Sequence, residues 1–313
     1  MSIRHATVLA PFLALFVAAP AVASAAEPAP CDRACLARFA DAYYAALDAN
    51  DAKALPQAAA ARITENGSLR KLAETFWASA GKPSWRFDIV NPRRGDFASQ
   101  TVIPNADGTK TMHLLRLKVR DGAITELETI KANQGDADRL WGPDQLGKEP
   151  SANLKLSIRE ADRDSYYDLI GAAESYWRAF QTNGTPNYRR ARILPDSIRF
   201  ENGFQTTAIT RDGIYQDTSR GFDEGRFLGR NIWDRRYPVV DEERGIVLSI
   251  VRFGLKAGAK SQNIATSNDR LVGEFFSIQS GHIKEIQAVL FNLPDDKPTG
   301  WPADEGPPRA SKD

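Results

Sequence analysis

Cysteine and histidine are scarce in this sequence. Its 313 residues include two cysteines and three histidines. Only His113 and His282 lie beyond the N-terminal segment, which argues against a zinc site. The chain also lacks a glycine-rich phosphate loop, a nucleophile-elbow serine and a dinucleotide-binding fingerprint. We therefore expect no cofactor, and any catalysis should be acid–base chemistry.

An excess of charge of one sign is also missing. The chain carries 41 Lys and Arg against 40 Asp and Glu, for a formal net charge of +1. Binding to nucleic acid or to an anionic membrane surface normally needs a strong positive excess. The composition instead predicts that the partner is a small molecule or another protein.

Long apolar runs are confined to the N-terminus. "MSIRHA" supplies a basic start, "TVLAPFLALFVAAPAV" an apolar core, and "ASA" a small-residue cleavage signal that ends at Ala25. This pattern predicts a signal peptide over residues 1–26 and an exported mature protein. Pro11 and Pro20 interrupt the run and argue against a retained membrane-spanning helix.

The two cysteines, Cys31 and Cys35, stand four residues apart at the start of a helical pattern. In an oxidising compartment an isolated pair of cysteines usually closes on itself. One helical turn separates their Cα atoms by about 6 Å, within the range of a disulfide. The sequence therefore predicts a disulfide bond between them.

The sequence contains an internal repeat. "ARITENG" ends at Gly67 and "SIRFENG" ends at Gly203, each after an aromatic helical pattern. The final hairpins also match, "RDGAITELETI" against "QSGHIKEIQAVL", and the preceding turns at 107–108 and 243–245 align in the same order. Agreement over most of each half indicates tandem duplication of one unit with a helix and a sheet.

The repeat divides the chain into five parts. Helix periodicity, strand alternation and loop composition set their limits. These parts are a signal peptide at 1–26, a first unit at 31–133, a linker at 134–160, a second unit at 161–293 and a tail at 294–313.

Several motifs resemble a known family. "CDRACL", "TENG", "LRLKVRDGAITELETI", "RFENG", "DRRYPVVDEERGIV" and Gly300-Trp301 are similar to the tandem exported proteins grouped as DUF8021, a domain of unknown function. The unit, a helix followed by long strands, also resembles the NTF2-like (SnoaL-like, cystatin-like cone) fold. The resemblance implies an α+β protein of two tandem units, each with helices packed on a curved antiparallel sheet. It further implies that the units pair through their sheets, and the same faces could support a homo-oligomer.

His113 is the principal candidate for a catalytic base. It lies in the strand "TMHLLRLKV", where Leu115, Leu117 and Val119 share its face. An imidazole inside a cone would suit proton transfer near neutral pH. The alternative is a core histidine satisfied by a backbone carbonyl, and alternation alone does not say which face is concave.

Aromatic residues supply candidate hydrogen-bond donors and ligand contacts. Four of them occupy matching positions of the two helices: Tyr43, Tyr44, Tyr176 and Trp177. Tyr43 is the candidate donor to an oxyanion, and the others are candidates for substrate binding. Because neighbouring residues point to different sides of a helix, we expect at most one of each pair to face inward. Trp77 and Trp85 could form an aromatic rim, or they could be core anchors.

Charged candidates cluster near two strands. Asp234 with Arg236 could position a substrate or a water molecule, since a guanidinium can hold a carboxylate at a fixed geometry. A salt bridge between the two units would account for the same residues. Arg86 and Asp88 alternate with aromatic residues, so they line either a pocket or the solvent face.

Two functional hypotheses follow from these observations. In the first, the protein is a cofactor-independent lyase, dehydratase or isomerase for a small aromatic or polyketide-like molecule. In the second, it binds such a molecule, or acts as a scaffold, without catalysis. A convergent polar pair inside one apolar cone would favour the enzyme.

Overall fold

The computed structural model describes residues 31–136, 140–256, 269–294 and 299–301. The predicted signal peptide lies outside these residues, as does most of the predicted tail. Among the described helices, none combines the length and the apolar character that crossing a bilayer requires.

The first unit is a helix packed on a six-stranded sheet. Short 3₁₀ turns follow α1 and precede β3. The bounds are α1 Arg33–Asp48, β1 Gln57–Glu65, β2 Ser68–Leu69, β3 Trp85–Asn91, β4 Asp96–Pro104, β5 Lys110–Arg120 and β6 Ala123–Ala132.

The second unit repeats this plan with an added small hairpin. Its bounds are α2 Ala152–Lys155, α3 Tyr166–Thr182, β7 Ile193–Glu201, β8 Phe204–Gln205, β9 Ile209–Arg211, β10 Ile214–Gln216, α4 Arg220–Asp223, β11 Arg230–Asp241, β12 Ile246–Leu255, β13 Arg270–Gln279 and β14 His282–Asn292. Strands β9 and β10 form a separate two-stranded sheet.

The two six-stranded sheets have the same topology. Their orders are β2-β1-β6-β5-β4-β3 and β8-β7-β14-β13-β12-β11. Strand β1 runs parallel to β6, and β7 runs parallel to β14, whereas all other neighbours are antiparallel. The prediction of an α+β protein with two sheets is confirmed. Its antiparallel part was wrong at this one pair in each unit, because the strand after the helix enters the sheet beside the last strand.

Strand order also corrects the alignment of the repeats. The turn at 242–245 joins β11 to β12, so its counterpart is the turn at 92–95 between β3 and β4. The turn at 107–108 joins β4 to β5 and belongs to the next hairpin. The sequence alignment was displaced here by one hairpin, because both turns are short and polar and contain a glycine.

The repeated Glu-Asn-Gly motif forms a tight turn. Asn66 and Gly67 have φ angles of 48° and 74°, and the second copy has 46° and 76° at Asn202 and Gly203. Asparagine and glycine tolerate this left-handed backbone best. The Asn66 side chain accepts from the backbone N–H of Lys131 at 2.8 Å and donates to its carbonyl oxygen at 3.1 Å. The motif thereby ties each turn to the last strand of its sheet.

Helix α1 begins at a capped and cross-linked end. Asp32 accepts a hydrogen bond from the backbone N–H of Cys35 at 2.7 Å, as expected of an N-cap residue. Cys31 and Cys35 form a disulfide with their Cα atoms 5.2 Å apart. The predicted disulfide is therefore confirmed.

The two sheets pack face to face. One buried apolar cluster contains residues of both sheets, including Phe87 of β3 and Phe275 of β13, whose ring centroids lie 4.8 Å apart. We call this side of each sheet the interface face and the opposite side, which contacts α1 or α3, the helix face. The pairing of sheets expected from the family resemblance therefore occurs within one chain.

The end of the described chain docks between the units. Trp301 donates from Nε1 to Thr64 Oγ1 at 2.8 Å, and its ring lies 5.0 Å from the Arg116 guanidinium. Gly300 has a φ of 84° and approaches Gly67 so closely that a Cβ would lie 2.5 Å from the Gly67 carbonyl oxygen. This contact fixes residues 299–301 against the first Glu-Asn-Gly turn.

Candidate functional site

His113 lies on the helix face of the first sheet. Leu115, Leu117 and Val119 share this face and pack in one apolar cluster with α1, whereas Met112 and Leu114 belong to the cluster between the sheets. The imidazole is fully buried. The alternation in β5 did not show which of its faces packs on the helix, and the structure shows that it is the face with His113.

Both ring nitrogens of His113 have partners. Nδ1 lies 3.2 Å from Thr101 Oγ1, and Nε2 lies 3.4 Å from the Tyr43 hydroxyl. Thr101 donates its hydroxyl proton to the His113 carbonyl oxygen at 3.4 Å. We therefore assign the proton to Nδ1, which donates to Thr101, and Nε2 accepts from Tyr43. Burial, aided by the charge of Lys131, lowers the pKa of His113 to about 3, so the ring is neutral at physiological pH.

Tyr44 is also turned toward the sheet. Its hydroxyl bonds to Ser99 Oγ, and the Arg86 guanidinium lies 4.7 Å from its ring centroid. Tyr43 and Tyr44 are both buried, so the expectation that only one of each aromatic pair faces inward was wrong. Neighbouring residues are about 100° apart on a helix, and the apolar stripe of α1 is wide enough to hold both.

Arg86 and Asp88 lie beside the same helix. Two nitrogens of Arg86 donate to the two Asp88 carboxylate oxygens, at 2.7 and 2.6 Å, and a third donates to Asp41 of α1 at 2.8 Å. Burial raises the pKa of Asp88, an effect that Arg86 partly offsets. This network holds the Arg86 guanidinium over the Tyr44 ring.

Trp77 and Trp85 lie on opposite faces of the first sheet. Trp77 packs on the helix face, with its ring centroid 5.2 Å from that of Tyr43. Trp85 belongs to the cluster between the sheets, where it contacts Phe87. Within the described part of the chain, neither indole N–H has a hydrogen-bond partner. The two rings do not form a common rim.

Asp234 and Arg236 have different partners in the structure and do not form a pair with each other. Two nitrogens of Arg236 donate to the two Glu128 carboxylate oxygens, at 2.6 and 3.0 Å, and both side chains are buried. Asp234 has a φ of 50°, lies at a register shift in β11 and is 3.5 Å from Thr299 Oγ1. Arg236 therefore forms the salt bridge between units that the sequence offered as the alternative, with Glu128 as its partner.

A second buried polar cluster lies on the helix face of the second sheet. Arg199 Nη2 donates to Glu274 Oε1 at 2.7 Å, and Arg199 Nη1 pairs with Glu201. Glu274 is fully buried, and among the described residues its Oε2 has no hydrogen-bond partner. Burial raises the pKa of Glu274, and Arg199 partly offsets this effect. We call Glu274, Arg199, Glu201 and the adjacent Tyr176 the Glu274 site.

Aromatic rings surround the Glu274 site. Tyr176 has its ring 5.9 Å from the Arg199 guanidinium and 5.4 Å from the Phe276 ring centroid. Its pKa is raised by burial. Trp177, the next residue of α3, donates from Nε1 to Ser249 Oγ at 2.8 Å. This second aromatic pair also lies wholly inside.

Comparison with known families adds one finding for this half of the chain. Residues 162–290 match the family model of a domain of unknown function, DUF8021. The resemblance stated from the sequence motifs is confirmed for this region. No curated protein matches the chain. The DUF8021 region contains all four residues of the Glu274 site.

The register of the strands aligns the DUF8021 region with the first unit. Ser99 pairs with Leu115 and Thr101 pairs with His113 between β4 and β5. In the DUF8021 region, Ser249 pairs with Glu274 and Val251 pairs with Val272. The equivalent of Glu274 is therefore Leu115, and the equivalent of His113 is Val272. At these two aligned inward positions, the first unit therefore has one ionisable residue, His113, and the DUF8021 region has one, Glu274.

The sequence analysis did not identify Glu274 or Arg199. Glu274 is a single acidic residue in the otherwise apolar run of β13 from Leu271 to Phe276, and Arg199 stands in the mixed strand β7. Neither position shows a local pattern that marks a site. The available signal was a difference between the repeats, because Glu274 and Arg199 replace the apolar Leu115 and Ile63 of the first unit. Among the described residues, no three His, Cys, Asp or Glu side chains form a group that could hold a metal.

Proposed function

We propose that the protein is an exported, cofactor-independent lyase, dehydratase or isomerase that acts on a small hydrophobic molecule at the Glu274 site. The observation that carries the proposal is the unpartnered Oε2 of a fully buried glutamate. Buried polar atoms nearly always have partners, and an unsatisfied carboxylate oxygen lowers stability. Each such exception calls for an explanation, and a catalytic role is one of them.

Glu274 has the properties of a general base. Arg199 holds one carboxylate oxygen and fixes the orientation of the other. The raised pKa makes the carboxylate a stronger base than an exposed glutamate. An apolar surrounding also strengthens its electrostatic interaction with a bound molecule.

His113 is the weaker candidate for this role. Its two ring nitrogens are engaged by Thr101 and Tyr43. A pKa of about 3 means that the imidazole has little affinity for a proton near neutral pH. The His113–Tyr43 pair nevertheless brings together two residues that the sequence singled out, and the experiment below tests both sites.

The chemistry that fits is proton transfer at a carbon next to a carbonyl group. Glu274 would take the proton, and the Tyr176 hydroxyl would donate a hydrogen bond to the carbonyl oxygen as it gains negative charge. The carboxylic acid would then return the proton to another carbon, which is isomerisation, or to a leaving hydroxyl group, which releases water. Aromatic walls that include Phe276 would favour a planar apolar substrate.

The fold and the cellular location are parts of the same proposal. The order of strands, with one parallel pair beside the long hairpins, supports an NTF2-like unit. The disulfide and the signal peptide predicted at 1–26 support export. Fold analogy alone would not select a reaction, so the chemistry rests on the Glu274 site.

A pair of variants tests the proposal, each with an ionisable side chain replaced by glutamine. The mature protein would be screened by thermal shift against small aromatic ketones and lactones, and every hit would be followed for turnover. We expect Glu274→Gln to bind a hit without converting it, since glutamine keeps the shape and can still accept from Arg199. We expect His113→Gln to retain turnover.

Three other outcomes would contradict this assignment. Turnover that survives in Glu274→Gln but disappears in His113→Gln would place the reaction on the first unit. Turnover retained by both variants would remove both groups from the reaction. Binding without turnover in the wild type would favour the second candidate, a small-molecule-binding or scaffold protein. That candidate is supported by the dense aromatic packing around Tyr176, whose ring contacts Phe180 and Phe222.

A further inference from the structure

Four arginines surround a cavity on the outer side of α3. The cavity has a volume of about 320 Å³ and lies between α3 and the segment that leads into β7. Its arginines are Arg178, Arg189, Arg190 and Arg192. Tyr176 and Trp177 face the opposite side of the helix, so the cavity is separate from the Glu274 site.

The backbone that carries Arg192 is held on both sides. Its N–H donates to Ser175 Oγ at 2.9 Å, and its carbonyl oxygen accepts from the N–H of Ile283 at 2.8 Å. The Arg192 guanidinium lies over Gly171, where an added Cβ would be 3.9 Å from Nη1. Because glycine has no side chain, the guanidinium lies close to the helix, at the cavity.

The positive charge of this cavity is not neutralised within the described part of the chain. Arg190 pairs with Asp223 at 3.0 Å. The one carboxylate in the cavity wall, that of Glu174, is engaged by Arg235 and by the Tyr237 hydroxyl. Three arginines remain, and no described carboxylate lies within 4.0 Å of their guanidinium groups: Arg178, Arg189 and Arg192.

The fold itself does not require an arginine at position 192. In the first unit, the N–H of Ile124 donates to the carbonyl oxygen of Pro56, as Ile283 does to Arg192. Pro56 is therefore the structural equivalent of Arg192, and it carries no charge. Like charges brought together on a surface lower stability unless a ligand of opposite sign offsets them.

We infer that this cavity binds the phosphate or sulfate group of a small molecule. Guanidinium groups present fixed forks of N–H donors that match tetrahedral oxyanions. The volume admits one such group with a small organic substituent but not a folded polymer. This site is independent of the reaction proposed above.

Binding of defined anions to the mature protein tests the inference. Inorganic phosphate, sulfate and phenyl phosphate would be titrated by calorimetry at low ionic strength. We expect Arg178→Gln and Arg192→Gln each to weaken phosphate binding about tenfold, the usual effect of losing one charge-assisted hydrogen bond. The control is Arg38→Gln, which removes an exposed guanidinium from α1 and should leave the affinity unchanged.

The outcomes distinguish specific binding in the cavity from nonspecific attraction of anions to surface arginines. Binding of phenyl phosphate together with phosphate would support a monoester ligand, and preference for sulfate would support a sulfated one. Binding of inorganic phosphate alone would support a site for the free ion. Absence of binding, or equal weakening by Arg38→Gln, would overturn the inference. Melting temperatures measured without anion would verify that the three arginine variants are folded.

Discussion

The burial of His113 predicts a specific loss of stability in mild acid. Folding lowers the pKa of this imidazole from 6.5 to about 3, mainly through desolvation. The unfolded chain therefore binds a proton that the folded chain rejects. The contribution of His113 to stability is complete above pH 6.5 and is lost as the pH falls toward 3. Linkage gives a loss of about 2 kcal/mol between pH 7 and pH 5, and of about 5 kcal/mol in the acid limit.

Urea unfolding of wild type and His113→Gln at pH 7 and pH 5 measures this loss. The variant has a lower baseline stability because Tyr43 and Thr101 change partners, but its side chain does not titrate. The wild type should therefore lose about 2 kcal/mol more than the variant over this interval. His282→Gln is the control for removal of a histidine, because His282 is exposed at the first residue of β14.

Equal pH dependence in wild type and His113→Gln would refute the reasoning. It would show that the folded protein accepts a proton at His113 as readily as the unfolded chain does. A neighbouring group or water would then have to stabilise the imidazolium, and the closed packing around Tyr43 and Phe76 would not describe the protein in solution.

Three further predictions concern the contacts that join the parts of the fold. Arg236→Met should lower the unfolding free energy by roughly 3 kcal/mol because buried Glu128 keeps only its longer ion pair with Arg116, at 3.8 Å, and adding Glu128→Leu should restore most of it in urea unfolding. Trp301→Ala should cost roughly 3 kcal/mol in the same assay, since the ring fills a buried site between the units; no change would show that the contact does not persist in solution. Replacing Cys31 and Cys35 by serine should cost about 2 kcal/mol because the closed loop is short, and wild type under reducing conditions should match the double variant.

Glu274 and His113 should change the stability of the fold with pH in opposite directions. Protonation neutralises the buried glutamate, whereas it places a charge on the buried imidazole. Glu274 has a raised pKa, so the folded chain holds its proton more tightly than the unfolded chain does. Its contribution to stability is present in acid and is lost as the pH rises through the folded pKa. If the ionised Glu274 carboxylate is catalytic, the fold is less stable at the pH where it acts. Such a trade-off between activity and stability is common at active sites.

Much of the fold could be predicted because the repeat and the alternation are local patterns. The disulfide followed from the spacing of Cys31 and Cys35, and the tandem organisation followed from the repeated Glu-Asn-Gly motif. The alternation of β5 also grouped His113 with its apolar neighbours. These properties depend on residues close in sequence, whose geometry helix and strand periods fix directly.

Only the tertiary structure decided which faces of the strands and helices are buried and which side chains contact each other there. Alternation could not show that Arg236 crosses to Glu128, that Tyr43 reaches His113, or that Arg199 and Glu274 converge in the second unit. Each of these contacts joins residues far apart in the chain, and each depends on strand order and sheet packing. A strand pattern fixes which side chains share a face, but the partner of that face is set by the elements that pack against it.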